Sequence, residues 1–202
     1  MCDLIIIGGG GHAKVIADIA VFNDYNVRGF LDDNISAEEF FGYRRLGSIC
    51  DCIKYQECFF VIAIGNNKIR RSIAEKYNTL NYATLIHPTA CIGSEVQIGA
   101  GTVVMPNTVI NASAKVGEFC IVNSGAVIEH DCCIGDFTHL SPNCTVCGVS
   151  KIGNNCWLGA GSTINNVLSI CDDVILGSGA VVIKDITKGG TYVGVPAKIT
   201  KR

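Results

Sequence analysis

Every sixth residue from Ile86 to Val182 is Ile, Leu or Val, seventeen consecutive positions without an exception. Neither the 3.6-residue period of a helix nor the two-residue alternation of a strand produces such spacing. A solenoid does, when each six-residue unit forms one short strand and one corner and turns one aliphatic side chain inward. Three units close a three-sided coil of about eighteen residues, so the segment stacks between five and six coils.

The position four after each aliphatic residue is usually small or β-branched, as at Ala90, Thr102, Thr108, Ala114, Ala126, Thr138, Ser162 and Ala180, which suits a cramped corner. Cys120, Cys132, Cys144 and Cys156 occupy the same slot and read as compact packing residues. Glycine often follows the aliphatic position (Gly93, Gly99, Gly117, Gly135, Gly153, Gly159, Gly177), where it permits either a positive φ or close backbone approach.

The formal charge is −2, only 17% of residues are charged and no basic block occurs, which argues against nucleic acid as a partner. The N-terminus lacks the basic flank and long apolar core of a signal peptide, and no apolar run approaches bilayer length. The expectation is a cytoplasmic protein with no membrane partner, whose twelve cysteines stay reduced. Cys50-x-Cys52 and Cys144-x-x-Cys147 each resemble half a zinc site, but no second pair or nearby histidine completes either, so no metal is expected.

The first eighty residues follow another rule. Leu4–Ile7 is a buried-strand run, Gly8–Gly11 a glycine turn, and Val15–Ala20 carries helical apolar spacing. Strand, glycine turn and helix together open a phosphate site, because backbone N–H groups reach an anion at a positive helix end. Further strands, Val27–Leu31 and Phe59–Ile64, end in Asp32-Asp33 and Gly65-Asn66-Asn67, and a helix follows from about Ile69 to Lys76. A β-α-β-α-β unit of this size is short for a full dinucleotide fold and favours a mononucleotide or nucleotide-sugar. The join near Tyr82–Leu85 is short, so residues 1–82 and 83–202 are expected as two domains in fixed relation.

Four histidines are available: His12 in the glycine turn, His87 before Pro88, and His130 and His139 within the coils. His130 is followed by Asp131, and a neighbouring carboxylate fixes an imidazole's tautomer and raises its basicity, which suits a general base. The rival nucleophiles are Cys132 and Cys133, through an acetyl-cysteine. A metal-dependent carbonic anhydrase on the same solenoid needs three histidines at one metal, and the coils hold two.

Gly8–Lys14, Phe30–Asp33, Ala63–Asn67, Val127–His130, Ile134–His139 and Val193–Lys198 together resemble the bacillosamine-type sugar N-acetyltransferases of the hexapeptide-repeat superfamily, whose relatives include sialic-acid O-acetyltransferases. The resemblance runs from about residue 4 to the C-terminus. It implies a Rossmann-like α/β domain followed by an all-β, left-handed parallel β-helix, the hand coming from the family and not from the period. It further implies a homotrimer with active sites between subunits, acetyl-CoA as co-substrate, and acetylation of the 4-amino group of a nucleotide-linked 4-amino-4,6-dideoxy sugar. The alternative acceptor is a hydroxyl of sialic acid or a related sugar; a non-enzymatic nucleotide-sugar-binding module is the third reading. By this resemblance His130 is the base and Asp131 its support, although the family member considered carries Glu at the latter position. His139, Ala160 and Ser178 are implied along acetyl-CoA. Gly10, Gly11, His12, Asp32, Asp33, Gly65, Lys68 and Asn123 are implied around the nucleotide-sugar.

Overall fold

The computed structural model describes residues 1–200 of the 202-residue chain. From Leu85 onward, two-residue strands recur every six residues and pair in parallel with the strand eighteen residues later. They form three flat faces of a parallel β-helix. The first face carries Leu85–Ile86, Val103–Val104, Ile121–Val122, His139–Leu140, Trp157–Leu158 and Val174–Leu176; Gly190–Val193 and Lys198–Ile199 extend it. The second runs from Cys91–Ile92 to Val181–Val182, and the third from Gln97–Ile98 to Ser169–Ile170.

The six-residue aliphatic positions fill a common interior: from Val104 to Val182 each is at most 4% exposed. Ile92, in the first coil, is 37% exposed because no coil lies below it. The corner slot is also sealed, and it carries hydrogen bonds between coils. Thr102 Oγ1 donates to the Gly117 carbonyl at 2.8 Å, and Cys120 Sγ donates to the Gly135 carbonyl at 3.2 Å. The cysteines here substitute for threonine as rungs of this corner ladder. Burial pushes the Cys120, Cys144 and Cys156 thiols up to about 12, so they remain thiols.

One corner reading divides between two positions. The glycines directly after the aliphatic residue do not hold positive φ; a Cβ on them would strike the next coil, as at Gly99, 2.6 Å from the Glu118 amide. Positive φ falls two residues later, at Asn107, Asp131, Asn143, Gly161 and their equivalents. Close approach explains the first set and turn geometry the second.

The N-terminal unit carries a six-stranded sheet where the sequence reading has three strands. Its strands are β1 (Cys2–Ile7), β2 (Tyr25–Leu31), β3 (Glu39–Phe40), β4 (Tyr43–Gly47), β5 (Phe59–Ile62) and β6 (Asn81–Tyr82), ordered β3-β4-β2-β1-β5-β6. The additions are a short hairpin and a two-residue edge strand, too brief to leave an apolar periodicity. Helix α1 (Gly11–Phe22) packs between the sheet and the first face of the lower coils, sharing a core with Leu85, Val103 and Ile121. Helix α2 (Asn67–Lys76) covers the other side, where Phe119 and Phe137 join the core with Phe60 and Ile73. No helix among the described residues is long and apolar enough to cross a membrane.

Candidate active site

The glycine turn is held in shape by Asp32. One carboxylate oxygen accepts the Gly9 amide at 2.8 Å and the other accepts Asn34 and Ile35 at 2.7 and 2.9 Å. Burial raises its pKa, but these amides and Arg45 outweigh it and leave the carboxyl below its usual value. Asp33 accepts the Ile49 amide at 2.8 Å. Both acids thus organise the loops that surround the sheet's C-terminal edge. Gly9 is required there, since a Cβ would lie 2.7 Å from the Phe30 ring. Gly10, Gly11 and Gly65 meet nothing within 4 Å and leave the mouth of the turn open at the start of α1.

Behind this opening the two units meet on Arg70, which is 1% exposed. Its guanidinium donates to the carbonyls of Phe119 (2.8 Å), Phe137 (2.8 Å), Ile64 (2.9 Å) and Gly65 (3.2 Å), and to Asn67 Oδ1 at 2.9 Å. No carboxylate pairs with it among these contacts. Asn67 Nδ2 also donates to the Cys156 carbonyl at 2.8 Å. The nucleotide-type loop is thereby riveted to three successive coils. Sequence reasoning missed this junction because α2 buries Asn67, Arg70, Ile73 and Ala74 while Ile69 is 51% exposed. The buried stripe runs through two polar residues, and no apolar pattern marks it.

His12 and His139 both lie beside this guanidinium. Burial, then the Arg70 charge, lowers His12 to about 4. Burial, the Arg70 charge and His12 together lower His139 to about 3, against a smaller opposing effect of the Gly65 carbonyl. Both rings are therefore neutral near pH 7. His12 Nε2 and His139 Nδ1 are buried without a partner. His139 Nε2 lies 3.2 Å from Asn123 Nδ2, so Asn123 sits beneath the ring. Trp157, one coil on, stacks on His139 at 5.7 Å with planes 12° apart and donates from Nε1 to Ser141 Oγ at 2.9 Å.

Two clefts flank Trp157. One, of about 350 Å³, follows the corner between first and second faces past Ser141, Gly159, Ala160 and Ser178. At this corner the Gly159 and Gly161 amides are taken by the Leu176 and Pro142 carbonyls, leaving the exposed Ala160 N–H without a backbone acceptor. The other, of about 310 Å³, lies towards α2 and is lined by Asn66, Asn67, Lys68, Asn155 and Asp173.

His130 and Asp131 stand elsewhere, at the corner between second and third faces. Nδ1 of His130 donates to Asp131 Oδ2 at 2.8 Å, and both side chains are 58% exposed. The carboxylate fixes the tautomer in which Nε2 carries the free lone pair. The ring rests on the next coil: a Cβ at Gly148 would lie 2.8 Å from Nε2. Asp131 holds φ +58°, and its amide donates to Ala112 at 3.1 Å, so the dyad sits on a fixed corner. Cys132, beside it, is fully buried and its thiol is pushed up by burial, which leaves no exposed thiolate at that position.

The fold thus brings His12, Gly65, Asn123 and His139 together around Arg70 at the domain junction, with Lys68 on the cleft towards α2 and Ala160 and Ser178 on the adjoining corner, while Asp32 and Asp33 brace the loops beside the open Gly10–Gly11 turn. It places His130 and Asp131 across the second face from them. Among the described residues no group of three or more His, Cys, Asp or Glu side chains is arranged to hold a metal.

Residues 3–77 match the family described as PglD N-terminal domain, and residues 150–184 the bacterial transferase hexapeptide (six repeats). A UDP-N-acetylbacillosamine N-acetyltransferase of Bacillus subtilis (strain 168) is 35% identical over 110 residues, 51% of this chain and 51% of that one. The chain spans about half, or less, of the length of the curated relatives it matches. The acetyltransferase domain of PglB from Neisseria gonorrhoeae FA1090 is 33% identical with a TM-score of 0.94, covering 99% of this chain and 100% of that one. PerB from Caulobacter crescentus, solved in complex with CoA and GDP-perosamine, is 32% identical with a TM-score of 0.92, covering 98% and 97% of the two chains.

Proposed function

The chain belongs to the hexapeptide-repeat sugar N-acetyltransferases with a PglD-type N-terminal domain, and we propose that it moves an acetyl group from acetyl-CoA to the 4-amino group of a nucleotide-linked 4-amino-4,6-dideoxy sugar. Residues 1–82 hold the nucleotide-sugar and residues 83–202 the donor. The observation that carries this reading is the exposed His130–Asp131 pair, fixed on a rigid corner with Nε2 unpaired.

His130 takes a proton from the amine as its nitrogen attacks the thioester carbonyl. The new C–N bond forms, the C–S bond breaks, and the proton passes to the departing thiolate to give CoA. The unpaired Ala160 N–H supports the developing oxyanion. His139, neutral at pH 7, supports the Trp157 ring that borders the donor cleft, and Ser178 lines the pantetheine path. The open Gly10–His12 turn, Gly65 and Lys68 receive the nucleotide-sugar. Asp32 and Asp33 act there through the loops they brace, and Asn123 through the His139 ring it supports.

The base lies across the second face from the donor cleft, so a second copy must complete the site. The three faces differ in a way that supports one arrangement. The first carries the N-terminal unit, and the third presents Lys115 and Lys151 to solvent. The second presents Val109, Val127, Thr145, Thr163 and Val181, an uncharged strip of the kind that suits the centre of a subunit contact. Three prisms with their second faces turned to a shared axis bring the His130 corner of one against the Ala160–Ser178 corner of the next. A homotrimer built this way has three equivalent sites.

The test is acetyl-CoA turnover against GDP-perosamine, UDP- and dTDP-linked 4-amino sugars and sialic acid, with mass measurement of the product. Acetyl transfer to a nucleotide-linked amine is expected. Acetylation of sialic acid alone would overturn the reading in favour of the O-acetyltransferase.

A further inference from the structure

On the first face, the outward column Ile121, His139, Trp157 and Ile175 rises one residue per coil. Trp157 is the partition in that column. Its indole, with Ile175, borders both the donor-side cleft and the polar cleft towards α2. It is held on two sides, stacked on His139 and bonded through Nε1 to Ser141 Oγ. A ring pinned in this way does not swing aside without losing both contacts.

We propose that Trp157 sets the length of the acyl group accepted from CoA, by closing the donor cleft against the polar cleft next to His139. The inference rests on the donor-groove reading above and adds the identity of the group transferred. With pantetheine along Ser178 and the thioester carbonyl at the Ala160 N–H, the acyl carbons point at the indole that borders the same cleft. An acetyl methyl stops short of it; a longer chain meets the ring. Beyond lies a cleft of about 310 Å³ whose lining includes Asn66, Asn155 and Asp173, space enough for several carbons once the partition is removed. One methylene at a closely fitting wall is worth roughly 10–200-fold in kcat/KM.

The experiment compares acetyl-, propionyl- and butyryl-CoA in wild type, Trp157→Ala, Trp157→Val and Trp157→Phe. The acceptor is whichever of GDP-perosamine or the UDP- and dTDP-linked 4-amino sugars the wild type acetylates. The readout is the ratio of kcat/KM for butyryl-CoA to that for acetyl-CoA, which cancels any general loss from a less well supported His139. The wild type is expected to disfavour butyryl-CoA by at least tenfold. Ala and Val should raise the ratio at least tenfold, while Phe, which keeps a ring in place, should change it less than threefold. An unchanged ratio in both Ala and Val overturns the proposal, as does a wild type that uses butyryl-CoA as well as acetyl-CoA. The second outcome is available even if neither small variant folds. A wild type inactive with acetyl-CoA on every acceptor is a different result, and counts against the acetyltransferase reading itself.

Discussion

Replacing Arg70 by methionine, of similar length and without a donor, removes five hydrogen bonds at once. Four of the acceptors are backbone carbonyls, those of Ile64, Gly65, Phe119 and Phe137, and none of the four accepts another backbone N–H at that junction. Leaving a buried acceptor unpaired costs about 1–3 kcal/mol; with the Phe119 carbonyl buried and the Ile64, Gly65 and Phe137 carbonyls part-buried, the four account for at most about 4–12 kcal/mol. Against this, the variant no longer buries a charge, whose desolvation costs several kcal/mol. Burial lowers Arg70 to about 10, so the guanidinium is charged at neutral pH and that cost is real. Setting that cost against the middle of the hydrogen-bond range leaves a net loss of about 3–5 kcal/mol. For a chain of this size that is a fall in Tm of roughly 6–20 °C, at about 2–4 °C per kcal/mol. Thermal unfolding is compared at one protein concentration, because an assembly's Tm depends on it. Arg70→Lys restores the charge as a point donor that cannot span the four carbonyls, and should recover less than half of the loss. A methionine variant within about 1 kcal/mol of wild type would refute the reasoning: the burial cost would then balance the bonds. Full recovery by lysine would equally refute it, since charge and not the guanidinium fork would be what matters.

Three further outcomes are expected. His130→Ala should lower kcat by about 10²–10⁴-fold with Tm within a few degrees of wild type, since the side chain is exposed, and Asp131→Asn should lower it less; near-normal His130→Ala turnover removes the base assignment. Gly148→Ala should push the His130 imidazole off its seat on the next coil and lower kcat about 10–100-fold while leaving the urea midpoint almost unchanged; retained turnover would mean that the ring's seat is unimportant. Stability should fall with acid: His12 and His139 titrate at about 4 and about 3 when folded and near 6.5 when unfolded. Between pH 6.5 and 4 the unfolded chain binds more protons, so each histidine removes up to about 1.4 kcal/mol per pH unit as pH drops. His139→Gln should flatten the urea-midpoint profile over that window, and an unchanged slope would contradict the buried neutral ring.

The coil was legible because its constraint repeats. An inward position that recurs every six residues has no other regular solution, so Val104 to Val182 identify their own interior without knowledge of the rest. The glycine turn was legible for a related reason, since strand, glycines and helix together leave amides facing an opening. The junction was not. Arg70 and Asn67 contribute through backbone carbonyls of Phe119, Phe137 and Cys156, which have no side-chain signature and become neighbours only when the two units dock. Trp157 was invisible for the same reason: its position in the repeat is an ordinary outward one, and its importance comes from His139 below and the clefts on either side.

In a chain this regular, departures from the local rule carry information. From Ile92 to Leu176 the corner residue three after each aliphatic position takes positive φ, and Asn, Asp and Gly suit it. Phe119, Phe137, Val149 and Val167 do not, yet they hold φ between 51° and 64°. For the two phenylalanines the compensation is visible: they stack at 5.2 Å with planes 2° apart, and their carbonyls receive Arg70 from the docked N-terminal unit. Val149 and Val167 stand in the same corner column as Asp131, at eighteen-residue intervals, with 44% and 65% of their surface exposed. A β-branched residue in this region costs of order 1–3 kcal/mol, and in a single protomer both side chains stay largely in solvent although their amides donate to the His130 and Gly148 carbonyls. In the trimeric arrangement proposed above, that corner faces the donor cleft of the next protomer. There the exposed methyl groups would meet apolar surface beside Ala160 and Ser178. By this reasoning local strain at a repeat corner marks where a second body docks, for the valines as for the phenylalanines.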